Sequence, residues 1–381
     1  MSAATSDEDW AGRALAAVIE RVGVTAAEVG TRFPLYAGPG DGRWTTTGRG
    51  SWTGGFWAGL LWLRARCTGD AADRRAAAAC TARLAPWADA DTATRGLILW
   101  YGTAPAGDDA EAAALRERAA RACLSACDPG LGLLPWGSAL GGPRLLARVD
   151  GVPGTVPLLA GAGPQGVAAA AAHLHRHLDL CLGEGGTPHR SPRPAWRFDE
   201  AAGWQPCADP PPGWSRGAAW LLLAVADALL RPEVARTGRV RLDGAADQLL
   251  VQGGGSAGPL VPPADACRPD GPLDTSAAAI TAVALLKLAR VPGLRAAAYA
   301  HQAAAILRHL VRAHLTGPGT GPGIGPSPGT GPGIGRPAGM LLDGCYDAGK
   351  ELAVRHELVW GDFFLALGLA ALDEVVDITR V

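Results

Sequence analysis

The chain has 381 residues, of which 48% are hydrophobic and 19% charged, so it can build a sizeable core and is not a disordered polymer. That length allows one large domain or two ordinary ones. With 35 basic and 36 acidic residues the formal charge is −1, which argues against nucleic acid or an anionic membrane as the main partner.

The amino-terminal stretch MSAATSDEDWAGRALAAVIERVG is acidic and amphipathic, without the basic and apolar regions of a secretory signal. Apolar runs such as Ala218–Ala226 fall short of the roughly 20 residues that span a bilayer. A cytoplasmic chain is expected. Apolar residues at three-to-four spacing predict helices over 7–21, 53–68, 71–88, 92–104, 108–127, 153–162, 165–182, 215–231, 238–252, 275–290, 294–313 and 358–375. Strand-like alternation is scarce. The expectation is an all-α chain of antiparallel helical hairpins forming one domain over 1–381. Long Gly-, Pro- and Trp-rich loops join the helices, and such loops commonly carry function. The segment 316–335 reads TGPGTGPGIGPSPGTGPGIG and has almost no side chains able to pack, so a flexible insertion is expected there. The eight cysteines are scattered and read as buried thiols, not a disulfide framework.

Thirteen tryptophans stand against five phenylalanines and four tyrosines. Several, including Trp44, Trp52, Trp136, Trp196, Trp204, Trp214 and Trp360, lie in loops or at helix starts. A flat ring with one polar handle suits stacking against a sugar face, so the group points to a carbohydrate cleft; ordinary packing is the competing reading for any one of them. Asp150, in ARVDGVPGTVPLL, stands between an apolar stretch and a Gly/Pro turn. Partial desolvation there would raise its pKa and suit it to general acid work, the alternative being a cap or loop carboxylate. Asp91 opens DTATRGLILWYG as a candidate N-cap. Arg216, in GWSRGAAW, opens a helix between two tryptophans. Its rigid guanidinium suits either a substrate carboxylate or a structural ion pair.

Three patterns lead elsewhere. Gly254-x-Ser256-x-Gly258 lacks the strand–turn–helix setting of a nucleophile elbow. His173, His177 and Cys181 share a helix face at four-residue steps, without supporting ligands that would make a zinc site. Cys123 and Cys127 share a face too, without nearby Cys or His. No phosphate loop or dinucleotide fingerprint is present.

Several segments, in order, resemble the unsaturated glucuronyl hydrolases of glycoside hydrolase family 88. SWTGGFWAGLLWL (51–63) resembles their first helical motif, LPWGSA (134–139) their tryptophan-bearing segment, and RVDGVPGTVPLL (148–159) their catalytic Asp segment. GWSRGAAW (213–220) resembles W-[AS]-R-G-Q-A-W, and DTSAAAITAVALLKLA (274–289) resembles the D-[ST]-S-A-A-A-I helix. GCYDAG (344–349) and ELVWGDFFLALGLAAL (357–372) resemble the carboxy-terminal signature. The likeness runs from about residue 50 to 372.

The resemblance implies an (α/α)6 barrel and a hydrolase of oligosaccharides ending in a 4,5-unsaturated uronic acid. Such enzymes hydrate the vinyl ether, and the hemiketal then opens to release the sugar. One carboxyl does the central acid/base work, and no metal or organic cofactor is required. Carried over position by position, Asp150 matches the acid/base, Trp52 and Trp136 match stacking tryptophans, and Arg216 and Trp220 match the Arg and second Trp of their motif. With small gaps, His189 matches the loop His and Gln205 the Gln upstream of the arginine. There are departures. The place of the family's second functional carboxylate falls on Thr94 and that of its preceding His on Ala93. Asp91, one helical turn away, is the candidate substitute, and Asp89 the other. Ala218 replaces the motif Gln. The expected partner is an oligosaccharide substrate, with no nucleic acid and no membrane, and the expected state is a monomer or homodimer. The competing reading is a catalytically altered or inactive barrel that binds saccharides.

Overall fold

Two kinds of helix alternate along the chain. The computed structural model describes residues 9–183, 191–252, 258–317 and 336–381. In chain order the helices are α1 (Trp10–Val29), α2 (Gly54–Thr68) and α3 (Ala71–Ala82), then α4, in which the turns Gly96–Trp100, Tyr101–Thr103 and Ala104–Ala106 run on as one helix. They continue with α5 (Ala110–Ala126), α6 (Thr155–Ala160), α7 (Pro164–Leu182), α8 (Ser215–Leu229), α9 (Arg239–Gln252), α10 (Thr275–Leu288), α11 (Ala296–Ala313) and α12 (Val359–Leu372), with a single helical turn, Pro232–Ala235, between α8 and α9. The odd-numbered helices bury one stripe. On α11 it is Ala303, Ile306, Leu307 and Leu310, the spacing of a helix with one face in water. The even-numbered helices are buried on nearly all sides. From Val359 to Ala371 every residue of α12 is buried, and α10 is buried apart from Thr281. A helix apolar all round must lie inside, so the even helices form the inner layer and the odd ones the outer.

The inner helices touch in a closed ring, α2–α4–α6–α8–α10–α12 and back to α2. Six hairpins so arranged make an (α/α)6 barrel. Its axis is filled by rings: Phe56 of α2 stacks on Trp220 of α8 at 6.1 Å and on Tyr101 of α4 at 5.5 Å, and meets Phe363 and Phe364 of α12 at 5.5 and 5.6 Å. Each buried ring of this kind contributes roughly 1.5–3 kcal/mol of transfer free energy. Asp70, Asp109 and Asp274 cap α3, α5 and α10 by accepting from Ala72, Ala112 and Ser276 backbone N–H groups, each cap contributing about 1 kcal/mol.

Helix α1 runs on past Gly23 to Val29, beyond the expected end at 21. The guanidinium of Arg64 lies where a Gly23 side chain would be and donates to the Ile19 carbonyl, so the glycine gives it room to pack against α1. Two small antiparallel sheets are also present, which the helical pattern did not announce. One has the order β2 (Trp44–Thr47), β1 (Phe33–Ala37), β7 (Leu352–Leu358), β6 (Gly344–Asp347). The other orders β3 (Leu146–Arg148), β4 (Ala195–Asp199) and β5 (Gly203–Pro206). Their strands are three to seven residues long, too short to show a clear alternation. Residues 318–335 of the Gly/Pro segment, His189, and Gly254 and Ser256 of the elbow-like pattern lie outside the described residues. Among the described residues no helix is long and apolar enough to cross a membrane. All eight cysteines are free; Cys67 and Cys267 are exposed, unlike the buried thiols expected.

Candidate active site

A cavity of about 1230 Å³ opens where β3, β4, β6 and the loops before the inner helices converge. Its wall carries Trp52, Trp136, Trp214 and Trp220 together with Asp150, Arg148 and Thr94. The volume exceeds that of a usual single-ligand pocket and suits more than one sugar ring.

Asp150 sits on the short 3-10 turn Val149–Gly151 that follows β3. Two residues earlier, Arg148 donates from Nε to Oδ1 and from Nη2 to Oδ2 of Asp150, both at 3.0 Å. Both side chains are partly buried, and the Arg148 guanidinium lies 4.8 Å from the centre of the Trp136 ring. Burial disfavours the charge on Arg148, but the carboxylate of Asp150 more than offsets it and raises the arginine pKa.

Backbone close approach fixes this turn. Gly154 has φ +70°, and a side chain there would lie 2.5 Å from the Gly96 carbonyl oxygen. The turn therefore crosses the start of α4 in backbone contact. Thr155 Oγ1 donates to the Ala93 carbonyl at 3.3 Å, and the Ala93 N–H donates to the Trp136 carbonyl at 2.9 Å. Segments around Ala93, Trp136 and Asp150 are thus joined. His173 adds a brace from behind: its Nδ1 accepts from the Leu134 N–H at 3.1 Å, so its Nε2 carries the proton and faces the Gly151 carbonyl at 3.3 Å. His177 Nδ1 donates to the His173 carbonyl at 2.8 Å. Burial pushes both imidazoles down, His173 far below the ordinary value and His177 to about 4. The ring nitrogens of His173 are thus engaged with backbone groups, and no cluster able to hold a metal occurs among the described residues.

The other side of the cavity rests on a buried network. Arg216 Nη1 donates to Asp274 Oδ2 at 2.7 Å and to the Cys345 carbonyl at 2.5 Å, and its Nη2 donates to the Tyr346 carbonyl at 2.7 Å. Its guanidinium lies between Trp214 and Trp360, 5.1 and 5.4 Å from their centres. Asp274 Oδ1 accepts from Ser276 Oγ at 2.6 Å, and that hydroxyl accepts from Trp360 Nε1 at 3.0 Å. Trp52 donates from Nε1 to the Tyr346 hydroxyl at 3.2 Å and packs 4.9 Å from Trp360. Of the two readings open for Arg216, the geometry is that of the structural ion pair. Trp220 is 1% exposed and forms the cavity floor, with its ring in the axial aromatic cluster.

Two expected site residues stand apart from this constellation, and a third lies outside the described residues. Asp91 is not on the cavity wall. Its Oδ2 accepts from the Ser138 N–H at 3.1 Å, the Ser138 hydroxyl at 3.0 Å and Arg144 Nε at 3.1 Å. Partial burial pulls its pKa up, but the Ser138 hydroxyl and then Arg144 hold it below the usual carboxylate range. It ties down the 138–144 loop and caps no helix, since α4 begins only at Gly96. Thr94 occupies the wall instead, 1% exposed, with Oγ1 2.9 Å from Thr92 Oγ1. Gln205 is exposed on β5, where its amide donates to the Ala202 carbonyl at 3.0 Å; it does not line the cavity, although Arg197, opposite it on β4, does. His189 is outside the described residues. Arg148 and Tyr346 lie in segments read for other residues. Arg148 stands two residues before Asp150, at the end of β3, within the segment read for Asp150.

No family model matches the sequence, and no curated relative matches it by sequence. Solved structures do match. An unsaturated glucuronyl hydrolase from Bacillus sp. GL1, described as responsible for glycosaminoglycan degradation, superposes with a TM-score of 0.76 at 20% identity, over 95% of this chain and 97% of that one. One specific for heparin gives a TM-score of 0.77 at 18% identity, over 97% and 99%. One from Streptococcus agalactiae gives 0.75 at 16% identity, over 97% and 93%. The chain has the fold of the unsaturated glucuronyl hydrolases. That likeness covers 95–97% of this chain.

Proposed function

We propose that the protein is a glycoside hydrolase that removes a 4,5-unsaturated uronic acid from an oligosaccharide by hydrating its vinyl ether. The observation that carries this reading is the position of Asp150: one carboxyl in the wall of a tryptophan-lined cavity large enough for more than one sugar ring. Trp52 and Trp136 supply faces for stacking a pyranose, and Trp220 closes the floor. Asp150, protonated from solvent when its fork with Arg148 opens, gives its proton to one alkene carbon. Water adds to the other alkene carbon and returns a proton to the carboxylate. The product is a hemiketal, which opens and releases the remaining sugar. Arg216 acts indirectly, holding the segment that carries Tyr346 and so the ring of Trp52. All eight cysteines as free thiols accord with a reducing compartment, and the reaction is assigned to the cytoplasm.

A second reading is a saccharide-binding barrel without this activity. The observation favouring it is Thr94 in the wall with Asp91 held elsewhere by Ser138 and Arg144. The test is the ultraviolet absorbance of the conjugated unsaturated uronate, followed with disaccharides made by polysaccharide lyases. Loss of absorbance with the native protein and not with Asp150→Asn is the expected result. A folded protein that binds these sugars without any loss of absorbance supports the second reading.

A further inference from the structure

We propose that Arg148, and not Arg216, reads the carboxylate of the sugar, on the edge of its guanidinium that Asp150 leaves open. The inference rests on the sugar-cavity reading above and names the residue that makes the site selective for an acid.

Among the described residues five cationic side chains line the cavity: Arg148, Arg197, Arg216, Arg268 and Lys350. Arg216 is 3% exposed, with its two Nη groups directed at Asp274 and two backbone carbonyls, so little of it is open to a ligand. Lys350 is held between Asp209 and Asp347 at 3.2 and 2.8 Å. Arg268 and Arg197 are exposed, where water screens a single charge and the side chain has no fixed direction. Arg148 alone combines partial burial, a fixed plane and a neighbouring carboxyl. It is 23% exposed, lies against Trp136, and is oriented by the two bonds to Asp150.

A guanidinium has two carboxylate-matching edges, Nε/Nη2 and Nη1/Nη2. Asp150 takes the first. Among the described residues no hydrogen bond engages Nη1, that nitrogen is not one of the fully buried, unpartnered atoms, and Arg148 lines the cavity. A ligand carboxylate can therefore dock on the second edge first, and Arg148 stays engaged to it when the fork with Asp150 opens for the proton transfer. In a pyranuronate the carboxyl is bonded directly to a ring carbon. Docking it on Arg148 sets that end of the ring beside Asp150 and leaves the ring face for tryptophan. The same guanidinium thus orients the acid and selects the substrate.

The test uses the full chain and two saturated probes that cannot be turned over: a disaccharide ending in glucuronic acid, and its methyl ester. Calorimetric titration is expected to show the native protein binding the acid about tenfold more tightly than the ester, the effect of one charge-assisted fork. Arg148→Gln should weaken acid binding about tenfold, leave ester binding unchanged and abolish the preference. Arg148→Lys should recover part of it. Equal binding of acid and ester by the native protein, or a preference that survives Arg148→Gln, overturns the proposal. If Arg148→Gln does not melt cooperatively, Arg148→Lys is read alone, and an unaltered preference there overturns it too. The absorbance assay separates the two ideas. A preference that depends on Arg148 without any absorbance loss keeps this inference and removes the hydrolase reading. Absorbance loss with a preference indifferent to Arg148 does the reverse.

Discussion

The guanidinium of Arg216 and the carboxylate of Asp274 meet at 2.7 Å with 3% and 0% of their side chains exposed. The pair joins the start of α8 to the cap of α10 and, through the carbonyls of Cys345 and Tyr346, to β6. Removing one partner leaves the other charge buried without compensation. Arg216→Ala should therefore destabilise the protein by about 3–5 kcal/mol. Thermal unfolding with and without the substitution checks it. A wild-type melting temperature with loss of binding would instead make Arg216 a ligand contact.

Asp150→Asn keeps the shape of the side chain and removes its acid/base capacity. Turnover of unsaturated disaccharides should fall by about 10²–10⁴-fold or more. Saccharide binding by tryptophan fluorescence should persist, since Trp52, Trp136 and Trp220 are untouched.

Thr94 tests whether one carboxyl suffices. Its hydroxyl is paired with Thr92 inside the wall. Thr94→Val removes one hydrogen bond while the Thr92 hydroxyl still accepts from the backbone N–H of residue 94, so it should cost about 0.5–1.5 kcal/mol of stability and change turnover by no more than about threefold. A loss of turnover as large as that of Asp150→Asn would make Thr94 part of the chemistry. The checks are a melt and the absorbance assay.

The His173–His177 brace makes stability depend on pH. Both groups titrate lower in the folded protein than in the unfolded chain, where the ordinary value is 6.5. The unfolded state therefore binds protons first as pH falls. The stability present above pH 6.5 is lost on descending towards about 4, on the order of 3 kcal/mol for His177. Denaturant unfolding across that range should show a declining midpoint. His177→Gln should flatten the decline, and an unchanged slope would place the sensitivity elsewhere.

Much of the architecture is legible in the sequence. The period of apolar residues is a local property, so twelve helices and their hairpin order can be read directly, and the fully apolar segments around Phe56, Trp220 and Phe363 are the ones that line the barrel axis. Asp150 and the tryptophans also stand out, because a carboxyl or indole beside glycine and proline is visible in a short window. Tertiary structure alone decides the rest. Arg216 could be a ligand contact or a strut, and only the fold brings Asp274, 58 residues away, into a buried ion pair with it. Asp91 and Thr94 are three residues apart, and only the crossing of the Asp150 turn over the start of α4 puts Thr94 in the wall and leaves Asp91 with Ser138 and Arg144. Gln205 lies off the cavity wall, one strand further out than Arg197 of β4, which lines it. The physical reason is common to all three. Which polar groups meet depends on backbone contacts between distant loops, and those carry no periodic signal in the sequence.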